Sequence, residues 1–257
     1  MREAINDNRK CGREVIGVVW ISYLFISQDK VGIEEWLAFC DNPKLNDIHT
    51  KNQKDLNLPS RLIAKIFLFR CIYRGPAFAY SCDPDFATVS KSQKFWQKII
   101  DNFFEKYYGL NQCHTRLIQE VTTTGQTISP FGRVHQHEQK KTRNGLEWYV
   151  PDITNHINQG CGADVMAVAR VVAYKRWKDT GLEGKFISTV HDSIVGDVPK
   201  QNVEAFANVI FSTFRDLPKA ISQAYNCDWN LPLLCEIGYG NNQKELTEIK
   251  ESDILIK

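Results

Sequence analysis

Apolar positions recur with a helical period over much of the chain, most clearly in LPSRLIAKIFLFRCIYRG (58–75). Pro59 and Ser60 suit the first turn and cap of a helix there, and Gly75 with Pro76 closes it. Ile33, Trp36, Leu37 and Cys40 predict an earlier helix in SQDKVGIEEWLAFC (27–40), broken by Asn42 and Pro43. A third begins near Ser90, with Phe95, Ile99, Phe103 and Tyr107 as its apolar stripe. Residues 155–177 and 201–226 read as two more. Strand patterns lie between them: glycine-broken, Thr-rich stretches from Val121 to Val150 predict hairpins, and GKFISTVHDSIVGDVP predicts a hairpin that carries Asp192 at its turn. Residues 231–239 read as a further strand, and the charged residues from Lys244 as a solvated terminus. The unbroken apolar run VIGVVWISYLFI (15–26) reads as a buried strand. It falls short of the roughly 20 residues that cross a bilayer, so no membrane partner is expected.

Residues four apart on a helix drift by only about 40° per step, so Arg61, Lys65, Phe69 and Tyr73 share one face. Two cations followed by an aromatic ring and a phenol suit a nucleoside triphosphate, whose phosphates need charge and whose base needs a flat surface. The pattern alone also fits an amphipathic helix with snorkelling cations. A net charge of +2 leaves any nucleic-acid contact to local clusters. Arg61, Lys65, Arg70 and Arg74 form one cluster. Arg133, Lys140, Lys141 and Arg143 form another in RVHQHEQKKTR, which reads equally as a basic hairpin over a phosphate backbone or as a solvated loop. The eight cysteines include no C-x-x-C pair and no zinc spacing, which points to reduced thiols in a cytoplasmic protein.

In order along the chain, these motifs resemble a family A DNA polymerase of the kind many bacteriophages carry. DIHT (47–50) resembles the segment before that family's fingers helix, and Arg61, Lys65, Phe69 and Tyr73 its fingers motif. SPFGR (129–133) resembles its Gly-Arg hairpin, NHINQGCGADVMAVA (155–169) its Gln-bearing palm helix, and HDS (191–193) its His-Asp turn. LPLLCEIGYGNN (231–242) resembles the closing palm strand.

The resemblance implies an α+β fold, with an antiparallel palm sheet and helical fingers in a truncated right hand lacking thumb and exonuclease. Residues 1–26 would be a degraded palm strand, 27–120 fingers, 121–242 palm and 243–257 the charged tail. It implies DNA-directed DNA polymerisation with Mg2+, on a DNA primer-template and dNTPs. Asp192 would be a catalytic metal ligand, and Lys65 would stabilise the leaving pyrophosphate. Arg61, Lys65 and His49 would contact the phosphates, Phe69 the sugar and Tyr73 the templating base pair. Gln159 and Asn155 would face the minor groove, His191 the primer end and Arg133 the DNA backbone. The family's second carboxylate belongs to Asp-x-x-Gly-Leu-Glu-x-Arg. Counting back from SQDKVG, that motif falls on EVIGVVWI (14–21), with Glu14 in place of the aspartate, Val19 of the glutamate and Ile21 of the arginine. Glu14 is therefore the expected second metal ligand, and impaired activity alone is expected. A broken reading frame near Ser27 is one account of the mismatch. Other readings are the C-terminal half of a split polymerase, completed by a separate N-terminal chain, and a noncatalytic remnant.

Overall fold

The computed structural model describes residues 2–7, 17–143, 145–242 and 244–255. In chain order the elements begin with β1 (Arg2–Asp7), α1 (Val18–Ser27), α2 (Lys30–Asp41), α3 (Ile48–Asp55), α4 (Arg61–Ile72), α5 (Ala77–Cys82) and α6 (Pro84–Ala87). Next come α7 (Gln93–Lys106), α8 (Tyr108–Thr124), β2 (Gln126–Ile128), β3 (Val134–Gln136), β4 (Gln139–Thr142), β5 (Gly145–Trp148) and α9 (Val150–Asp179). The chain closes with β6 (Lys185–Val190), β7 (Ser193–Pro199), α10 (Val203–Tyr225), β8 (Ile237–Asn242), β9 (Glu245–Ile249) and α11 (Glu251–Leu255). The α+β class holds. Two compact units divide the chain, one of residues 23–160 and one of 1–22 with 161–257. The fingers–palm boundary expected at 120 falls inside α8.

The first unit is helical. Phe67, Tyr80, Phe86, Trp96 and Phe103 are fully buried and meet ring to ring at 5.2–6.3 Å, so α4 to α7 share one aromatic core. Of the predicted stripe on α7, Ile99, Phe103 and Tyr107 are buried, whereas Phe95 is 37% exposed and Trp96 is buried beside them. Buried Asp29 joins two helices, its Oδ1 accepting from Gly32 N at 2.8 Å as the cap of α2 and its Oδ2 from Leu110 N at 3.2 Å in the first turn of α8. Helix α8 runs on through the Thr-rich stretch predicted as hairpin. Thr122, Thr123 and Thr124 turn their hydroxyls back to carbonyls one turn earlier, at 2.7, 2.9 and 2.8 Å, and left-handed Gly125 ends the helix.

The second unit is a five-stranded sheet of order β6-β7-β1-β8-β9, with every neighbouring pair antiparallel. Helix α10 buries Phe206, Ile210, Phe214, Leu217 and Ile221 at helical spacing and packs against β1 and β7. Phe206 lies over Gly196, where an added Cβ would stand 2.5 Å from its ring. Three expectations are corrected. The run at 15–26 is helical from Val18, because an apolar run without alternation fits a buried helix as well as a strand. The closing strand starts at Ile237, not Leu231. The tail is not merely solvated, since β9 pairs with β8 from Ile237↔Ile249 to Asn242↔Glu245.

Candidate functional site

Ser60 starts α4 by accepting Ile63 N at 3.2 Å. One side of the helix, Ala64, Phe67, Leu68, Cys71 and Ile72, is buried. Arg61, Lys65, Phe69 and Tyr73 line up on another side, each half-buried. The predicted column is therefore not part of the aromatic core, and it stays accessible at its edge. Burial lowers the pKa of the Lys65 ammonium.

Helix α3 supplies the neighbours of this column. Its cap Asp47 accepts Thr50 N at 2.8 Å and Thr50 Oγ1 at 2.6 Å, and it receives Arg61 Nε and Nη2 at 2.8 Å each. Desolvation pushes the Asp47 carboxyl up, but the Arg61 and Thr50 donors outweigh it and hold its pKa well below the usual range. Arg61 is thus committed to a carboxylate, a pairing the sequence did not reveal. His49 is 1% exposed, its ring centroid lies 6.3 Å from that of Phe69, and neither ring nitrogen has a hydrogen-bond partner among the described residues. Burial lowers its pKa to about 4, so the imidazole is neutral.

The C-terminal end of α4 departs from expectation in an informative way. Arg74 N donates to Cys71 O at 2.9 Å and Gly75 N to Arg70 O at 2.8 Å, a Schellman ending whose left-handed residue is Arg74, φ 54°. That position favours glycine, and the side chain compensates. Arg74 Nε donates to His114 Nδ1 at 3.0 Å, Nη2 donates to Asn111 Oδ1 at 2.5 Å, and the guanidinium lies 4.6 Å from the Phe104 ring centroid. With Nδ1 accepting, His114 carries its proton on Nε2, 2.9 Å from Tyr23 Oη, and the Tyr23 hydroxyl reaches Ile72 O at 2.5 Å. The cap residue Tyr73 is held between these anchors, and its hydroxyl is hydrogen-bonded to the side chain of Gln159 on α9. Asn155, one turn earlier, is half-buried and its Oδ1 lacks a partner among the described residues. Arg133 follows a tight turn in which Ser129 Oγ accepts Phe131 N at 3.3 Å and Arg133 N at 3.1 Å.

In the sheet unit, His191 and Asp192 form the two-residue turn between β6 and β7, closed by the pair Val190↔Ser193. His191 is exposed with φ 53°, a conformation that costs about 1–3 kcal/mol for a non-glycine residue, and Asp192 is half-buried. Glu14 lies outside the described residues. The sheet register instead brings another carboxylate position to notice. Strand β1, central in the sheet, pairs with β7 through Asn6↔Val195 and ends at Asp7, so the Asp7 position lies at the same end of the sheet as the turn that carries Asp192. Counting back from the following helix missed it, because only the pairing of β1 with β7 brings Asp7 to notice. Among the described residues, no group of three or more His, Cys, Asp or Glu could hold a metal ion.

One unit thus carries an antiparallel sheet with a His-Asp turn and the other a cation-aromatic helix column, in an α+β fold. The chain belongs to DNA polymerase family A, whose family model matches residues 43–245. DNA polymerase I of Borreliella burgdorferi is 26% identical over 234 residues, covering 86% of this chain and 23% of that protein. DNA polymerase I of Pseudomonas aeruginosa is 28% identical over 194 residues, covering 75% and 20%. The DNA polymerase of Bacillus phage SP01 is 22% identical over 207 residues, covering 78% and 22%. The chain thus spans about a fifth of the length of these relatives. Among solved structures, the POL domain of Pol1 from M. smegmatis, in complex with DNA primer-template and dNTP, is similar with a TM-score of 0.73 at 18% identity. That match covers 94% of this chain and 40% of the other. No helix among the described residues is long and apolar enough to cross a membrane.

Proposed function

We propose that this chain binds a primer-template and an incoming dNTP and takes part in template-directed nucleotidyl transfer. The observation that carries this reading is the half-buried Arg61–Lys65–Phe69–Tyr73 column, flanked by buried His49, whose ring has no hydrogen-bond partner among the described residues, and tied to Gln159. In this reading Lys65 and His49 meet the triphosphate and Arg61 joins them on leaving Asp47. Phe69 packs on the sugar, and Tyr73 with Gln159 positions the terminal base pair. Asn155, Gln159, Arg133 and His191 contact the DNA.

Magnesium is the implied ion, and hard oxygen donors suit it. Asp192, half-buried at its turn, and Asp7, at the end of the adjacent strand, are the positions that would hold it, in preference to Glu14. When bound, the ions would lower the pKa of the primer hydroxyl and neutralise the triphosphate.

Primer extension with Mg2+ tests the reading. Extension that stops in Asp192→Asn and falls at least tenfold in Lys65→Ala is the expected result. No extension, with dNTP binding kept and sensitive to Lys65→Ala, would instead favour a noncatalytic nucleotide binder. Extension that appears only on adding a separate N-terminal polymerase chain would favour a split enzyme.

A further inference from the structure

The hairpin β4–β5 sorts its charges by face. Its register is Gln139↔Trp148, Lys140↔Glu147, Lys141↔Leu146 and Thr142↔Gly145, and paired residues point to the same side of a pleated ribbon. On one side Lys140 is fully engaged: it faces Glu147, its Nζ lies 2.5 Å from Asp152 Oδ2, and it sits 4.3 Å from the Tyr149 ring centroid. On the other side the hairpin's own residues are Gln139, Lys141, Leu146 and Trp148, with no carboxylate. Trp148 packs at the root against Cys113, Leu117, Val121, Ile153 and Ile157. Toward the tip, Lys141 and Leu146, paired across the strands, are exposed, Leu146 at 66%, and Arg143 is exposed in the turn that follows β4.

An isolated two-stranded hairpin is marginal in water, so its anchorage matters. Here the root is fixed on both sides, by Trp148 on one and by the Lys140–Asp152 pair on the other, and the tip is held out. A bare leucine beside two exposed cations suits a nucleic-acid strand, which offers phosphates to the cations and apolar sugar and base edges to the leucine. We propose that the Lys141–Arg143–Leu146 face of this hairpin is a DNA contact that grips the strand backbone without reading sequence. It adds a surface outside the residues given roles above, and it does not depend on catalysis.

The test is fluorescence anisotropy of the whole chain with a labelled mixed-sequence primer-template, titrated across KCl concentrations. Each phosphate contact contributes about 0.9 to the slope of log affinity against log salt. Lys141→Gln with Arg143→Gln should reduce the slope by about 1.8 and weaken binding on the order of tenfold at physiological salt. Leu146→Ser should weaken binding at every salt concentration with the slope unchanged. All three side chains are exposed, so the unfolding midpoint should stay put. The control Lys94→Gln with Lys98→Gln, on the exposed side of α7, should leave the slope as it is. An unchanged slope in the hairpin variant, an equal fall in the control, or a parent chain that does not bind DNA would each overturn the proposal. A chain that binds DNA through this hairpin yet never extends a primer would uphold it while refuting templated synthesis.

Discussion

Replacing Arg74 with glycine sets a backbone rule against a side-chain network. The left-handed position after a helix favours glycine, so the substitution should relieve about 1–2 kcal/mol of backbone strain. Against this, it removes two hydrogen bonds from a charged donor, at 3.0 Å to His114 and 2.5 Å to Asn111, each contributing about 1.5–3 kcal/mol. It also removes the contact with Phe104, about 1 kcal/mol, and leaves Nδ1 of fully buried His114 without a donor. The network wins: Arg74→Gly should destabilise the chain by about 2–6 kcal/mol, or about 4–24 °C in the unfolding midpoint for a protein of this size. Arg74→Lys should also lose stability, because one ammonium cannot reproduce the planar fork. Urea titration of the three proteins, followed by tryptophan fluorescence, measures the difference. A glycine variant as stable as the parent, or more so, would show that the helix ending rather than the guanidinium network sets the energetics here.

Other consequences can be measured alongside. His49 and His114 are held neutral, chiefly by burial, with pKa values lowered to about 4 and about 3. Their folded pKa values lie below the unfolded value near 6.5, so stability is full above pH 6.5 and falls on acidification toward 4. His49→Phe should flatten that fall by up to about 1.4 kcal/mol per pH unit, and equal slopes in both proteins would contradict it. Asp47→Asn should release Arg61 and tighten dATP binding several-fold by calorimetry while lowering stability; weaker binding would mean that Asp47 aims Arg61 rather than holding it back. Asp29→Ala, which strips an acceptor from two helix N-termini, should cost about 2–4 kcal/mol in the same urea titration.

Helix α4 was legible because each of its signals agreed: Ser60 at the start, a four-residue column, and a turn at Gly75. The His-Asp turn was equally clear, since apolar strand-forming stretches flank it, although β7 turns out buried on both faces rather than alternating. Helix α1 was not, because Trp20, Ile21, Tyr23 and Leu24 are buried without interruption, and such a run carries no period that separates helix from strand. The Thr122–Thr124 stretch misled for a different reason: threonine favours strands until its hydroxyls find carbonyls within a helix. The Asp47–Arg61 pair leaves no trace in sequence, as the partners lie on different helices, and Asp7 becomes visible only once β1 is paired with β7.

The most direct test of the central claim needs no chemistry. A complex of the chain with a dideoxy-terminated primer-template is challenged with each of the four dNTPs in Mg2+, and its lifetime is followed by gel shift. Only the dNTP complementary to the template base should lengthen the lifetime, and Lys65→Ala should abolish the effect. Equal lifetimes with all four dNTPs would contradict the claim.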